Sequence, residues 1–181
     1  MATSRLSVPA IFRLASLQSV FLGLFASVYL LYTYVSHKPI VCGSSGGCEI
    51  VRLSKWAYVF GTIPRPALGV LFYGAVFLLL LLRVATNLQP RLLWRAMQAL
   101  IVIGLIESVA LFFIQWREIG AFCVWCLTSA FASVELALAA CFDRSMDALE
   151  PTERHQELQL FLVLMVGLTL IFLVSLWWLL R

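Results

Sequence analysis

Long apolar runs separated by short polar stretches constrain this chain more than any other feature. Four of them lie near residues 11–35, 92–116, 119–142 and 159–180. Each is close to the roughly 20 residues that a helix needs to cross about 30 Å of hydrocarbon. A shorter run, "PALGVLFYGAVFLLLLL", occupies 66–82 and opens at Pro66, where proline suits a first helical turn. A backbone crossing lipid must satisfy its own N–H and C=O groups, and for runs of this length the helix does so. The expected fold is an all-α integral membrane protein, a single domain over 1–181 with five transmembrane helices. Composition agrees: 62% of residues are hydrophobic and 12% charged, against about 25% charged in soluble domains. The net charge of +4 is spread singly between the apolar runs rather than gathered on a stripe, which argues against nucleic acid as a partner. The first run is too long for a signal-peptide core and lacks a following small-residue cleavage site, so it reads as retained.

Five crossings put the termini on opposite sides and sort the cysteines. Cys42 and Cys48 follow the first run, and Cys123 and Cys126 sit where the third meets the fourth. These four share one face of the membrane. Cys141, 18 residues beyond Cys123, lies about 27 Å deeper along the same helix and belongs to the other face, where it reads as a small packing residue. Lysine and arginine favour the cytoplasmic side, but here they divide almost evenly. Paired cysteines used as disulfides persist outside the cytosol. That places the N-terminus in the cytoplasm and the C-terminus and four cysteines on the periplasmic side of the inner membrane. His37 reads as solvated at a span end.

The loop "VCGSSGGCEI" (41–50) leads into "EIVRLSKWAYVFGTIPRP", and together residues 36–63 form a loop and half-helix. Glu49, Arg52 and Lys55 recur every three residues, with Ile50, Leu53, Ala57 and Phe60 as an apolar row between them. This predicts a short amphipathic helix at the interface, ended by Gly61, Pro64 and Pro66.

Cys123 and Cys126, at i and i+3, share a helix face with Cβ atoms about 5–6 Å apart, near enough for a disulfide with modest adjustment. In the first turn of a helix the free N–H groups stabilise a thiolate. A four-cysteine metal site is the competing reading. The five residues between Cys42 and Cys48 exceed the usual ligand spacing, and the glycines and serines there fix no geometry, so no metal is expected. If both pairs cycle between dithiol and disulfide, the electrons need an acceptor. The chain shows no dinucleotide fingerprint and no haem-attachment motif, and a lipid-soluble quinone is what the bilayer supplies. A non-enzymatic scaffold with structural cysteines remains the alternative.

The sequence C-x5-C, then "VRLS", then "GTIPRPALGVLFYG", then C-x-x-C opening a late helix resembles the vitamin K epoxide reductase family in its bacterial disulfide-forming branch, from about residue 11 to 142. DsbB-type quinone reductases carry their C-x-x-C in the first outer loop, the reverse of the order here. The resemblance implies a four-helix bundle around a quinone site, with the fifth helix peripheral. It implies that Cys123 and Cys126 are the active pair, with Cys126 beside the quinone, either ubiquinone or menaquinone. Cys48 then exchanges with Cys123, and Cys42 meets a DsbA-like or thioredoxin-like periplasmic partner. Ser54, six residues after Cys48, matches the family's half-helix serine and is a candidate quinone contact, as is Trp125 between the active cysteines. Many bacterial members carry a fused thioredoxin-like domain, and none is expected after the fifth span here. Vertebrate members have a tyrosine where this chain has Ala130 and an asparagine near Arg65 and Pro66, departures that weigh against vitamin K epoxide as substrate. Glu107 and Glu135, about 14–18 Å deep by helical rise, are expected either as neutral interhelical hydrogen-bonding groups or in proton delivery.

Overall fold

The computed structural model describes residues 8–42, 46–85 and 90–146, with scattered helical positions between 159 and 177. Helix α1 (Val8–Ser36) is followed by a short helix α2 (Gly47–Leu53), a 3-10 turn (Lys55–Ala57) and a two-residue antiparallel ladder of β1 (Tyr58–Val59) with β2 (Ile63–Pro64). Helix α3 (Arg65–Ala85), α4 (Pro90–Ile114) with a terminal π turn (Gln115–Ile119), and α5 (Val124–Met146) complete the described chain.

Four helices among the described residues are long and apolar enough to cross a bilayer: Leu14–Ser36, Arg65–Leu82, Leu92–Ile119 and Val124–Phe142. They make the chain a multi-pass membrane protein. The fifth expected span, 159–180, falls largely outside the described residues. Helix α1 packs against α3 and α5, and α4 packs against the same two, so the four close into a bundle. Phe25, Leu71, Ile103 and Ile106 are among the large apolar side chains left on its outside. On a soluble domain such continuous apolar surface would be a liability; against lipid it is the expected exterior.

Inside, Val20, Tyr73, Val76, Ile101 and Leu136 form the main core. Small hydroxyl residues sit at the helix contacts, as is common where helices pack within lipid. Ser16, Ser19, Ser27, Thr128 and Ser133 are all buried. Tyr73 crosses from α3 to α5, where its hydroxyl bonds the Ser129 carbonyl (2.6 Å) and the Ser133 hydroxyl (2.8 Å). Its ring reaches α1 at Gly23 because that residue has no side chain: a Cβ there would stand 2.1 Å from the ring.

Glu135, deep in α5, accepts hydrogen bonds from Ser19 of α1 (3.4 Å) and from Thr169 (3.3 Å), contacts that link it to neighbouring segments. Glu107 is paired with Arg65 at the start of α3.

The half-helix is shorter than its sequence periodicity predicts. Ser54 adopts an extended conformation (φ −72°, ψ 156°) and its hydroxyl takes the Val51 carbonyl at 2.7 Å. This is the local competition with helix bonds that serine side chains offer. Helix α2 therefore stops at Leu53. Its buried face is Gly47, Cys48 and Val51, while Leu53 (76% exposed) and Phe60 (94% exposed) of the expected apolar row point away from the protein.

The tight contact at Gly23 yields a test. Gly23→Ala forces apart α1 and α3, and overpacking of this kind costs about 1–3 kcal/mol. The expected result is a lower apparent Tm in detergent; an unchanged Tm would contradict the contact.

Candidate active site

Cys42 and Cys48 are joined in a disulfide, with Cα atoms 5.8 Å apart. Two sets of contacts fix this loop on the bundle. The Val41 peptide, immediately before Cys42, is held on both sides: its N–H donates to the Tyr29 hydroxyl (3.1 Å) and its carbonyl accepts from the Trp125 indole (2.8 Å). On the other side Arg52, paired with Glu49 within α2, donates to the carbonyls of Thr33 (3.3 Å) and Lys38 (2.9 Å). Thr33 belongs to the last turn of α1, where carbonyls lack helical partners and a cation is favoured.

Helix α2 then meets the segment before α5. A Cβ on Gly47 would lie 2.3 Å from the Phe122 carbonyl oxygen, so only glycine allows the two backbones to come this close. Cys48, the next residue, is thereby packed into one buried cluster with Cys42, Cys123, Val51 and Val124, with Cys126 and Trp125 against it.

Cys123 is the N-cap of α5: its carbonyl accepts the first helical bond, from Leu127 N–H (2.9 Å), and its sulfur accepts from Cys126 N–H (3.4 Å), as a serine hydroxyl does at such a position. Cys123 lies one residue outside the fourth span. Its thiol is held below the ordinary thiol range, chiefly by the hydrogen bond with the Cys126 thiol and also by the N–H groups of Cys126 and Trp125, against the opposing effect of burial. The first turn thus treats its two cysteines differently, and the N-terminal stabilisation falls on Cys123. Gln115, buried in the π turn, fixes the approach to this turn: its side-chain oxygen accepts from Cys123 N–H at 2.7 Å.

Beneath the cluster lies a cavity of about 610 Å³ between the helices. Cys126 stands in its wall, while most of the lining is apolar, including Leu30, Phe72 and Leu111. Arg65 and Glu107 are its charged lining residues. Arg65 also donates to the Trp56 carbonyl (2.6 Å) and interacts electrostatically with the Cys126 sulfur. The volume is within the roughly 300–1,000 Å³ of small-molecule sites, and an apolar wall with a few polar groups suits a flat, lipid-soluble ring.

Two expected contacts are not in this wall. Ser54 faces a smaller outer groove with Ile50, Lys55 and Glu118, its hydroxyl committed to Val51. The Trp125 ring packs on Tyr29 (4.4 Å between centroids) and Phe25 (6.1 Å) of α1. There it clamps the outer loop instead of walling the cavity. Cys141 is exposed and apart from the four.

The family model described as the vitamin K epoxide reductase family matches residues 15–141 of the 181. The chain belongs to that family. Membership makes this vitamin K epoxide reductase family protein an oxidoreductase and associates it with quinone-linked thiol chemistry.

Several residues that shape the site are not singled out by sequence alone. Gln115 is the uncharged amide in "LFFIQWREIG" near the end of a span, a signal visible in retrospect. Gly47 is indistinguishable from its glycine neighbours until Phe122 is placed beside it. Tyr34, which lines the cavity, is one of three tyrosines closing the first run.

Two outcomes follow for this protein. Gly47→Ala retains the Cys42–Cys48 disulfide but lifts Cys48 from Cys123, so non-reducing peptide mapping of oxidatively challenged protein recovers much less of a Cys48–Cys123 link; equal recovery would contradict the seating. In reduced protein lacking Cys42, Cys48 and Cys141, ultraviolet thiolate absorbance begins to rise at a pH below the ordinary thiol range. With Cys126→Ser added, the thiol hydrogen bond is lost and the Cys123 ionisation moves to higher pH. An unmoved midpoint would remove the proposed cause.

Proposed function

We propose that this protein is a membrane thiol:quinone oxidoreductase of the disulfide-forming branch, which reoxidises a DsbA-like or thioredoxin-like partner and so sustains disulfide formation in exported proteins. The observation that carries this reading is the buried cluster of Cys42, Cys48 and Cys123 with Cys126 packed against it, in the wall of the apolar cavity. In this arrangement the cysteines face the periplasm, and the N-terminus lies in the cytoplasm.

The reduced partner attacks the Cys42–Cys48 disulfide and leaves as its own disulfide, passing two electrons to the outer pair. The Cys48 thiolate attacks Cys123 of a Cys123–Cys126 disulfide, forming a Cys48–Cys123 bond and releasing Cys126 as a thiolate. Cys42 then attacks Cys48, restores the Cys42–Cys48 disulfide and releases Cys123. The helix N-terminal hydrogen bonds at Cys123 favour this release, because a thiol of lower pKa leaves faster. The outer pair is now oxidised and the inner pair reduced, the pairing present in the structure. A bound quinone, ubiquinone or menaquinone, supplies the acceptor for the two electrons and two protons that the inner dithiol gives up on closing to a disulfide. Gln115 holds the Cys123 backbone throughout, and the apolar cavity wall limits water around the Cys126 thiolate.

Purified protein mixed with a reduced DsbA-like partner and a soluble quinone is expected to consume quinone absorbance as partner thiols disappear, one quinone per pair of thiols. Cys126→Ser reduces the rate to background while Cys141→Ser leaves it unchanged. Quinone and partner thiols both persisting with wild-type protein would contradict the reading.

A further inference from the structure

The phenol of Tyr34 has no role in the relay, yet it stands at the relay's end. Tyr34 lies in the last turns of α1, is 7% exposed and lines the same cavity as Cys126. Its ring packs on Tyr58 at 5.9 Å, and its hydroxyl is close enough to Cys126 and Cys123 to interact with both electrostatically. Among the described residues that hydroxyl has no hydrogen-bond partner. A donor without a protein partner in the lining of a cavity is free to bond a molecule held there.

The contrast with the other donors of the cavity is informative. Tyr73 is committed to Ser129 and Ser133, Arg65 to Trp56 and Glu107, and the Gln115 oxygen is taken by Cys123. Of the cavity's donors left without a partner, which include the buried Trp56 indole N–H, Tyr34 is one whose hydroxyl interacts electrostatically with Cys126 and Cys123.

We propose that the Tyr34 hydroxyl donates a hydrogen bond to the ring oxygen of the quinone nearest Cys126, making Tyr34 a catalytic residue of the electron-transfer step. This rests on the thiol:quinone reading and specifies how the acceptor is oriented. An oxygen held by Tyr34 fixes the ring plane against Cys126. The bond strengthens as charge accumulates on that oxygen, since hydrogen bonds to charged acceptors exceed those to neutral ones. A donor placed in advance where charge develops, in a site that excludes water, needs no reorganisation at the moment of transfer. Tyr34 keeps its proton across the cycle, because the inner dithiol already provides both protons of the quinol.

Infrared difference spectroscopy of purified protein with a carbon-13-labelled ubiquinone analogue reads this bond directly. In wild type one carbonyl stretch moves to lower frequency than in free quinone. Tyr34→Phe abolishes the shift and weakens quinone binding about tenfold, the effect of one ordinary hydrogen bond, with the Cys42–Cys48 disulfide intact. Tyr58→Phe, which removes the neighbouring phenol outside the cavity, changes neither. Fluorotyrosine at position 34, which keeps the hydroxyl, retains the shift and carries a fluorine resonance that moves when the analogue is added. A carbonyl shift and affinity unaltered in Tyr34→Phe, or a fluorine resonance indifferent to quinone, would overturn the proposal while leaving the thiol:quinone reading standing. If wild-type protein shows no saturable quinone binding, that reading fails, and the role of Tyr34 fails with it.

Discussion

The seat of the Gly47 backbone on the Phe122 carbonyl is the contact on which the site depends. At 2.3 Å from a would-be Cβ, it brings α2 closer to the approach of α5 than any side chain would permit. The next residue along α2 is Cys48, and the next after Phe122 is Cys123. One backbone-to-backbone approach therefore registers two cysteine pairs that are separated by some eighty positions in sequence. Everything else holds that register: Arg52 ties α2 to the exposed carbonyls at the end of α1, and the Tyr29 and Trp125 bonds fix the peptide before Cys42.

The energetics of the proposed relay follow from where each sulfur stands. Cys42 and Cys48 are buried in the outer disulfide, Cys123 caps α5 and Cys126 lines the cavity. Free N–H groups at a helix start act as a preformed site for negative charge. In the relay we propose, they favour Cys123 as the leaving thiolate once the outer pair closes. The sulfur proposed to meet the quinone is the one in the apolar wall. Polar groups that would draw water into that wall are paired with one another, as Arg65 and Glu107 are.

Much of this was legible in the sequence, because the strongest constraints are local. Hydrocarbon thickness selects the long runs, and four of the five coincide with described helices. The C-x-x-C spacing places Cys123 and Cys126 on one helical turn without knowledge of any neighbour. What the sequence did not convey depends on distant contacts or on local competition. The apolar row through Ile50, Leu53 and Phe60 suggested an interfacial half-helix running on to Gly61, but the Ser54 hydroxyl donates to the Val51 carbonyl and α2 ends at Leu53. Trp125 lies between the active cysteines in sequence, yet successive residues on a helix point about 100° apart, so its ring turns to α1 and away from the cavity. The pairing of Glu107 with Arg65 spans 42 positions, and no spacing rule anticipates it.

The central claim is that electrons pass between the pairs through a bond between Cys48 and Cys123. Removing Cys42 deprives Cys48 of its outer partner and stalls the relay at that bond. Non-reducing peptide mapping of a Cys42→Ser protein purified from cells, with alkylation at lysis, reads it directly. The account predicts a Cys48–Cys123 disulfide as the dominant species, with Cys126 free. Cys48 recovered as a free thiol, or bonded to Cys126, would contradict it.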